Sequence, residues 1–366
     1  MKILQVCSAT EIGGGERHVI DLTRALIERG HELHLVIRPK AKIKTELASL
    51  PIIWHELPLR NALDIFSAQK IKRIIIQHNI EIVHAHVARD YTICGLACKR
   101  TAAKLFLTRH HFNPIKSNFL YQCAINQTQG FIAVSSAVKA EIQKAFPELN
   151  GRIPIIPNWV DANSVASMAT EEARNSLGIT RKFAVGMIGQ ITPLKGQKYF
   201  IEAAQEIARD DVEFLIVGEP QTKIDNGYFV FLTGHHQQVI AQGNLRFIGA
   251  VPDIATKLAA FDIIVVPSIN EGFSLVVIEA MAAGCAVIAS NVGGIIDLIE
   301  NNKTGILVQP ERSGQIAQVV LQLLNNPELR QMLGNQARAT ALEKYSRDPV
   351  IDQIENLYKK KSIDRI

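Results

Sequence analysis

Residues 268–294 read S-I-N-E-G-F-S-L-V-V-I-E-A-M-A-A-G-C-A-V-I-A-S-N-V-G-G, and the apolar run Ile263–Val266 leads into them through Pro267. The run predicts a buried strand. Leu275 to Ala283 is apolar except for Glu279, and Gly284 is a helix stop. Cys285 to Ala289 predicts the next strand. Strand, loop, helix and strand in that order make the unit of a parallel sheet. The helix has no polar face, so most of it should be buried. A carboxylate in such a helix is costly unless something satisfies it. Glu271 precedes the helix and Glu279 lies about one turn inside it. Between them, Gly272, Phe273, Ser274 and Leu275 present backbone N–H groups at a helix N-terminus, where hydroxyls and anions bind. Two carboxylates flanking free amides suit a polyhydroxylated, phosphate-bearing ligand. The plainer alternative is a helix-capping Glu271 and a Glu279 paired with a structural cation.

Working outward, the same pattern occurs twice. Lys2–Cys7, a loop with Gly13, Gly14 and Gly15, a helix over Glu16–Arg29 and a strand over Glu32–Ile37 open the chain. Phe183–Ile188, the loop Gly189–Gly196, a helix over Gln197–Ala208 and a strand at Val212–Val217 restart it. A dinucleotide site fits the first repeat badly. The third glycine of G-x-G-x-x-G would fall on His18, and strand two ends in Arg38-Pro39 without an acidic residue for a ribose. The segment His84-Ala85-His86 has the spacing of a metal pair, but no third ligand is evident in the sequence.

The 366 residues suffice for about two domains. Apolar residues make up 47% and charged residues 20%, which excludes a disordered chain. No apolar run reaches the length of a membrane span. Five irregularly spaced cysteines form no disulfide framework and fit a reducing compartment. Residues 1–160 hold 21 Lys and Arg against 12 Asp and Glu, a balance of +9, whereas residues 161–366 balance at −4. A basic first half favours an anionic partner: a phosphate-bearing acceptor or an anionic membrane surface. No nucleic-acid motif accompanies it.

The segment E-G-F-S-L-V-V-I-E-A-M-A-A-G-C-A-V-I-A-S closely resembles the E-x7-E signature of glycosyltransferase family 4, retaining enzymes of the GT-B fold. The resemblance covers nearly the whole chain. It implies an α/β protein with two Rossmann-like domains facing each other across a cleft. An acceptor domain would cover residues 1–165, a nucleotide-sugar domain 166–347, and a C-terminal helix, about 348–366, would cross back to the first domain. By this resemblance Glu271 lies by the donor sugar and Glu279 binds the ribose. Gly14 and Gly15 match a shortened form of a loop near the diphosphate. His110 matches a histidine beside the donor sugar, with His111 the near alternative. Gly249 and Val251 fall in the segment that reads the base.

Gly189–Gly196 resembles the loop G-R-L-x-x-x-K-G, whose Arg and Lys bind the diphosphate. Lys195 keeps the lysine, and Gln190 stands where the family has arginine. A neutral amide cannot neutralise charge or form a bidentate fork. Trp159 replaces the glycine of the family's I-P-N-G-V-D.

The expected reaction transfers a sugar, with retained configuration, from a UDP- or GDP-linked donor to a hydroxyl of a glycan or lipid-linked acceptor, in cell-envelope polysaccharide or lipopolysaccharide synthesis. Neither a cofactor nor a metal is required: no D-x-D occurs. The expected location is cytoplasmic, on the inner face of the cell membrane where the acceptor is lipid-linked. A sugar-nucleotide epimerase or phosphorylase would share the architecture. A non-catalytic sugar-nucleotide-binding paralogue is the reading from another class.

Overall fold

The computed structural model describes residues 1–115, 119–162, 165–241 and 243–360. The chain divides into two compact units. One is Met1–Asn158 joined by the segment beginning at Asp348, and the other is Trp159–Arg347.

The first unit is a six-stranded parallel sheet: β1 (Lys2–Cys7), β2 (Glu32–Ile37), β3 (Ile52–Glu56), β4 (Ile82–Ala85), β5 (Lys104–Arg109) and β6 (Thr128–Ala133), in the order β3-β2-β1-β4-β5-β6. The second repeats the arrangement with β7 (Phe183–Ile188), β8 (Val212–Val217), β9 (Leu245–Phe247), β10 (Ile263–Val266), β11 (Ala286–Ser290) and β12 (Ile306–Val308), in the order β12-β11-β10-β7-β8-β9. Both are doubly wound sheets. Each reverses its winding between its first and fourth strands, β1 and β4 in one, β7 and β10 in the other. Beyond the carboxyl ends of those strands, open α/β sheets bind their ligands.

The central strands are buried along both faces, which is why they read as continuous apolar runs rather than as alternations. In the second unit Val185, Phe214, Ile263, Val265 and Ile288 pack with Phe200, Ile316 and Val320 from the covering helices. The helix Leu275–Ala283 buries Val277, Ile278, Ala280, Met281 and Ala282, as its sequence requires, and ends at Gly284 with φ +80°.

The last helix, Arg347–Lys359, packs within the first unit. Tyr358 is fully buried there, and its hydroxyl lies 2.6 Å from His84 Nδ1. Arg29 and His31 bind its acidic face through Asp352 and Glu355. Cys7, Cys94, Cys98 and Cys285 are buried thiols outside any disulfide. Trp159 is buried with an ordinary negative φ, so the turn that replaces the family's glycine needs no left-handed residue. Asp64 caps the helix Ile65–His78, its carboxylate accepting from Ser67 N. The helix Lys223–His235 has no counterpart in the sequence reading. It carries no clean apolar stripe and buries only Asp225 and Leu232.

Candidate functional site

In the second unit, Gly189 (φ +149°) turns the chain at the end of β7, and a short 3-10 turn, Pro193–Lys195, follows. Gly196 (φ +79°) closes that turn, and its missing Cβ leaves the space filled by the Pro267 carbonyl at the end of β10. Ile269 N donates to Leu194 O at 2.8 Å. These contacts fix the β7 loop against the β10 loop at the switch point. Lys195 Nζ lies 2.6 Å from Glu271 Oε2, and Ser268 Oγ donates to the same oxygen at 3.3 Å. Gly294 N donates to the Glu271 carbonyl at 2.9 Å, which anchors the backbone. The Glu271 side chain is 12% exposed and that of Lys195 34%. The ammonium is therefore reachable, while the carboxylate is largely covered.

Gly272 and Phe273 are buried, and Ser274 caps the helix by accepting from Val277 N at 3.4 Å. The amides of Leu275 and Val276 then have no intrahelical acceptor, as at any helix start. Glu279, half-buried, sits one turn in. Gly218 (φ +142°) packs directly on Gly189 O, and its N–H donates to Gly249 O at 2.7 Å, so the loops after β7, β8 and β9 are stitched together. Val251 is half-buried just beyond.

Gln190 does not point freely. Its Nε2 donates to Asp225 Oδ2 at 3.0 Å, and its backbone carbonyl accepts from Gln197 Nε2 at 2.9 Å. Asp225 also accepts from Thr222 N and Oγ1 in a capping box. The sequence reading missed Asp225, although Thr222-x-x-Asp225 is a legible capping signal.

In the first unit the helix Gly14–Glu28 starts from the glycine loop after β1, with Glu16 Oε2 accepting from Gly13 N at 3.0 Å. A Cβ on Gly15 would lie 3.4 Å from the His110 ring, so that ring rests on the loop; Gly14 faces open space. His110 follows β5 and forms a cluster with His18 and His86, with ring centroids 4.8 Å (His18–His110) and 5.9 Å (His86–His110) apart. The two histidines of His84-Ala85-His86 share a face, as alternation dictates, but they differ in use. His84 is saturated, with Tyr358 at 2.6 Å and Thr108 Oγ1 at 2.7 Å. Among the described residues, the buried ring nitrogens of His86 and His110 have no hydrogen-bond partner. The sequence reading singled out neither His18 nor Asp90, whose carboxylate accepts from Ser8 N at 2.8 Å at the end of β1.

Burial holds all four imidazoles neutral. It lowers His18 to about 4 and His84 to about 3, and it takes His86 and His110 well below the usual range. Each therefore binds fewer protons folded than unfolded below pH about 6.5, so stability is complete above that pH and falls as pH drops toward the folded values. His18 alone costs about 2 kcal/mol between pH 7 and 5. Asp90, raised by burial to about 6, acts in the opposite direction by about 1 kcal/mol. Four histidines outweigh one carboxylate. Urea unfolding followed at pH 7, 6 and 5 should show a steep loss of stability, reduced in His18→Asn. A flat profile would mean that these rings stay accessible to protons.

Each of the two units is thus a doubly wound α/β sheet; the carboxyl-end loops of the first are rich in buried imidazoles, and those of the second carry a lysine–glutamate pair at a helix start. Residues 169–340 match the family model for glycosyl transferases group 1, and residues 12–164 match that for Glycosyltransferase Family 4. The chain belongs to this glycosyltransferase family, in its family 4, GT-B branch. It is 25% identical to N-acetyl-alpha-D-glucosaminyl L-malate synthase of Bacillus anthracis, over 95% of this chain and 94% of that one. It is 28% identical to the phosphatidyl-myo-inositol mannosyltransferase of Mycolicibacterium smegmatis, over 98% and 93%. Anabaena Alr3699/HepE, solved in complex with UDP, has the same fold, with a TM-score of 0.86, 22% identity and coverage of 97% and 99%. Among the described residues no helix is long and apolar enough to cross a membrane.

Proposed function

We propose that the protein is a retaining glycosyltransferase that moves a sugar from a nucleoside diphosphate sugar, UDP- or GDP-linked, to a hydroxyl of a glycan or lipid-linked acceptor. The observation that carries this reading is the 2.6 Å Lys195–Glu271 pair at the β7/β10 switch point, beside a helix start that offers amides. In the bond-changing step the acceptor oxygen bonds to the anomeric carbon as the bond from that carbon to the diphosphate oxygen breaks, and the acceptor hydroxyl's proton passes to the departing diphosphate. Negative charge grows on the diphosphate. Lys195 and the amides of Gly272, Phe273, Ser274 and Leu275 stabilise it. An arriving diphosphate competes with Glu271 for the ammonium, which frees Glu271 to accept from sugar hydroxyls. Glu279 binds the ribose, Gly249 and Val251 face the base, and Gly14 and Gly15 approach the diphosphate. His110, neutral and with no hydrogen-bond partner among the described residues, hydrogen-bonds the sugar.

Gln190, already engaged by Asp225, supplies no charge, so Lys195 carries more of the diphosphate than in relatives with both cations. None of these steps calls on a metal.

Two relatives' names and one surface feature of this chain support the acceptor class. The mycobacterial relative's name gives a phosphatidylinositol acceptor, and a Staphylococcus aureus relative is named a capsular polysaccharide biosynthesis glycosyltransferase, 24% identical over 84% of each chain. The first unit adds exposed Leu63, Ile65 and Phe66 beside Lys70 and Arg73. This apolar tip in a basic setting suits peripheral contact with an anionic membrane surface on its cytoplasmic side. Phe66→Asp should lower sedimentation with anionic vesicles at least several-fold and leave transfer to a soluble acceptor unchanged; equal sedimentation would remove the membrane from the proposal.

Thermal melting against UDP, GDP, ADP, CMP and NAD tests the donor reading. A ligand that binds only the folded chain raises the melting point by mass action. A rise with one nucleoside diphosphate, lost in Glu279→Ala, supports the reading and identifies the base. No rise with any of them would favour a chain whose donor site has been lost.

A further inference from the structure

Away from both switch points, the sheet of the first unit carries a second histidine cluster. His34 lies in β2 and His55 in β3. The register sets His34 opposite Ile53 and Val36 opposite His55, so the two histidines are diagonal neighbours on one face. His78 is the last residue of the helix Ile65–His78, and Asn79, left-handed at φ +52°, ends that helix beside them. The His34 and His55 rings stack at 5.4 Å with a 6° interplanar angle, and His78 lies 4.7 Å from His34 and 5.6 Å from His55, centroid to centroid. One ring nitrogen from each lies within 4.8 Å of the others. His34 Nδ1 and His55 Nε2 are 3.1 Å apart. Two nitrogens each about 2.0–2.1 Å from one tetrahedral zinc stand roughly 3.3 Å apart, so little movement is needed.

The remaining contacts have the order of a metal site. His34 Nε2 lies 3.1 Å from Glu32 Oε1, which Lys2 also holds at 3.3 Å. A carboxylate on Nε2–H leaves the Nδ1 lone pair facing the cluster, the orientation that carboxylate–histidine–metal triads use. His34 is fully buried, whereas His55 and His78 are half-buried, so the cluster has a rigid base and an open side. Burial keeps His34 below its usual range and His55 down at about 4, with the neighbouring imidazoles adding to the effect on His55. Burial thus favours the uncharged form of His34 and His55, the form that ligates.

We propose that His34, His55 and His78 bind a divalent transition-metal ion of the zinc type, with Glu32 orienting His34 and water completing the coordination. Three imidazoles select zinc, nickel or copper over magnesium or calcium. Without metal, His55 Nε2–H donates to His34 Nδ1. On binding, that proton exchanges through solvent to His55 Nδ1, and no net proton is released. The ion ties β2, β3 and the end of the Ile65–His78 helix together. The site is separate from the His18–His86–His110 cluster and stands whether or not the donor reading holds.

The test uses the full chain, stripped with a chelator and titrated with ZnCl2 or CoCl2 at pH 7.5. One equivalent of zinc should survive desalting and raise the melting point, and cobalt should give visible absorption of a nitrogen-ligated ion; MgCl2 should do neither. His55→Asn and His78→Asn, at half-exposed positions, should keep the chelator-treated melting point and weaken zinc at least tenfold each. Glu32→Gln should weaken it about 10–100-fold. His110→Asn should retain it. Zinc retained in the His55→Asn/His78→Asn double variant, zinc lost in His110→Asn, or no zinc surviving desalting would each overturn the proposal.

Discussion

Lys195→Ala is expected to lower kcat/KM for sugar transfer by about 10²–10³-fold, the usual loss when one preorganised group facing a developing negative charge is removed. Most of the loss should fall on kcat. The ammonium meets the diphosphate in the ground state too, but the charge on the leaving oxygen grows only as the glycosidic bond breaks. In this chain the effect should be at the upper end, because Gln190 is neutral and already donates to Asp225 at 3.0 Å. The substitution also leaves Glu271, 12% exposed, without the cation that neutralises it. A carboxylate by the sugar with no counter-charge repels the incoming diphosphate, so donor binding should weaken as well. The comparison is Glu279→Ala. A ribose contact is nearly the same before and during the reaction, so that change should raise KM about tenfold and leave kcat close to its original value. Initial rates over a donor concentration series separate the two. Equal kcat in Lys195→Ala and the unaltered protein would place the diphosphate elsewhere and remove the central element of the proposed function.

The sequence made this site legible in parts that share a physical cause. Leu275–Ala283 could be read as a buried helix because apolar side chains around the whole circumference leave few other options. Strands buried on both faces, such as Ile263–Val266, announce themselves as unbroken runs. Gly284 marked a helix end through the left-handed conformation it adopts. Interactions between distant loops were not legible. That Glu271 meets Lys195, 76 residues away, depends on strand order, and no local pattern encodes strand order. The engagement of Gln190 by Asp225 was hidden for the same reason, and the Lys223–His235 helix around it lacks the apolar stripe that would have revealed it. His18 was passed over because a helix histidine has no signature of its own; only the fold brings it to His86 and His110. His34, His55 and His78 are 21 and 23 residues apart in sequence and meet only through parallel pairing and a helix end.

Gly196→Ala is expected to cost much more stability than a methyl added at a glycine of the same backbone angle elsewhere, and the reason can be separated from that angle. At φ +79° any L-residue pays about 1–2 kcal/mol for the left-handed conformation. Gly30 has nearly the same angle, φ +78°, but a Cβ there would meet nothing within 4 Å. Gly30→Ala should therefore cost only that conformational amount. At Gly196 the added carbon would overlap the Pro267 carbonyl, which is backbone at the end of β10 and cannot rotate away. Relieving the overlap requires the β7 and β10 loops to separate, at about 1–3 kcal/mol more. The same separation carries Lys195 away from Glu271, because Gly196 is the residue on which the Pro193–Lys195 turn closes. Gly196→Ala should accordingly melt several degrees below Gly30→Ala and also lose most of the melting-point rise given by the nucleoside diphosphate, a loss that Gly30→Ala does not share. Equal melting points for the two variants would show that the loops at this switch point yield easily. In that case the 2.6 Å approach of Lys195 to Glu271 would not be held by the fold. It would be one position of a loop that the ligand itself must organise.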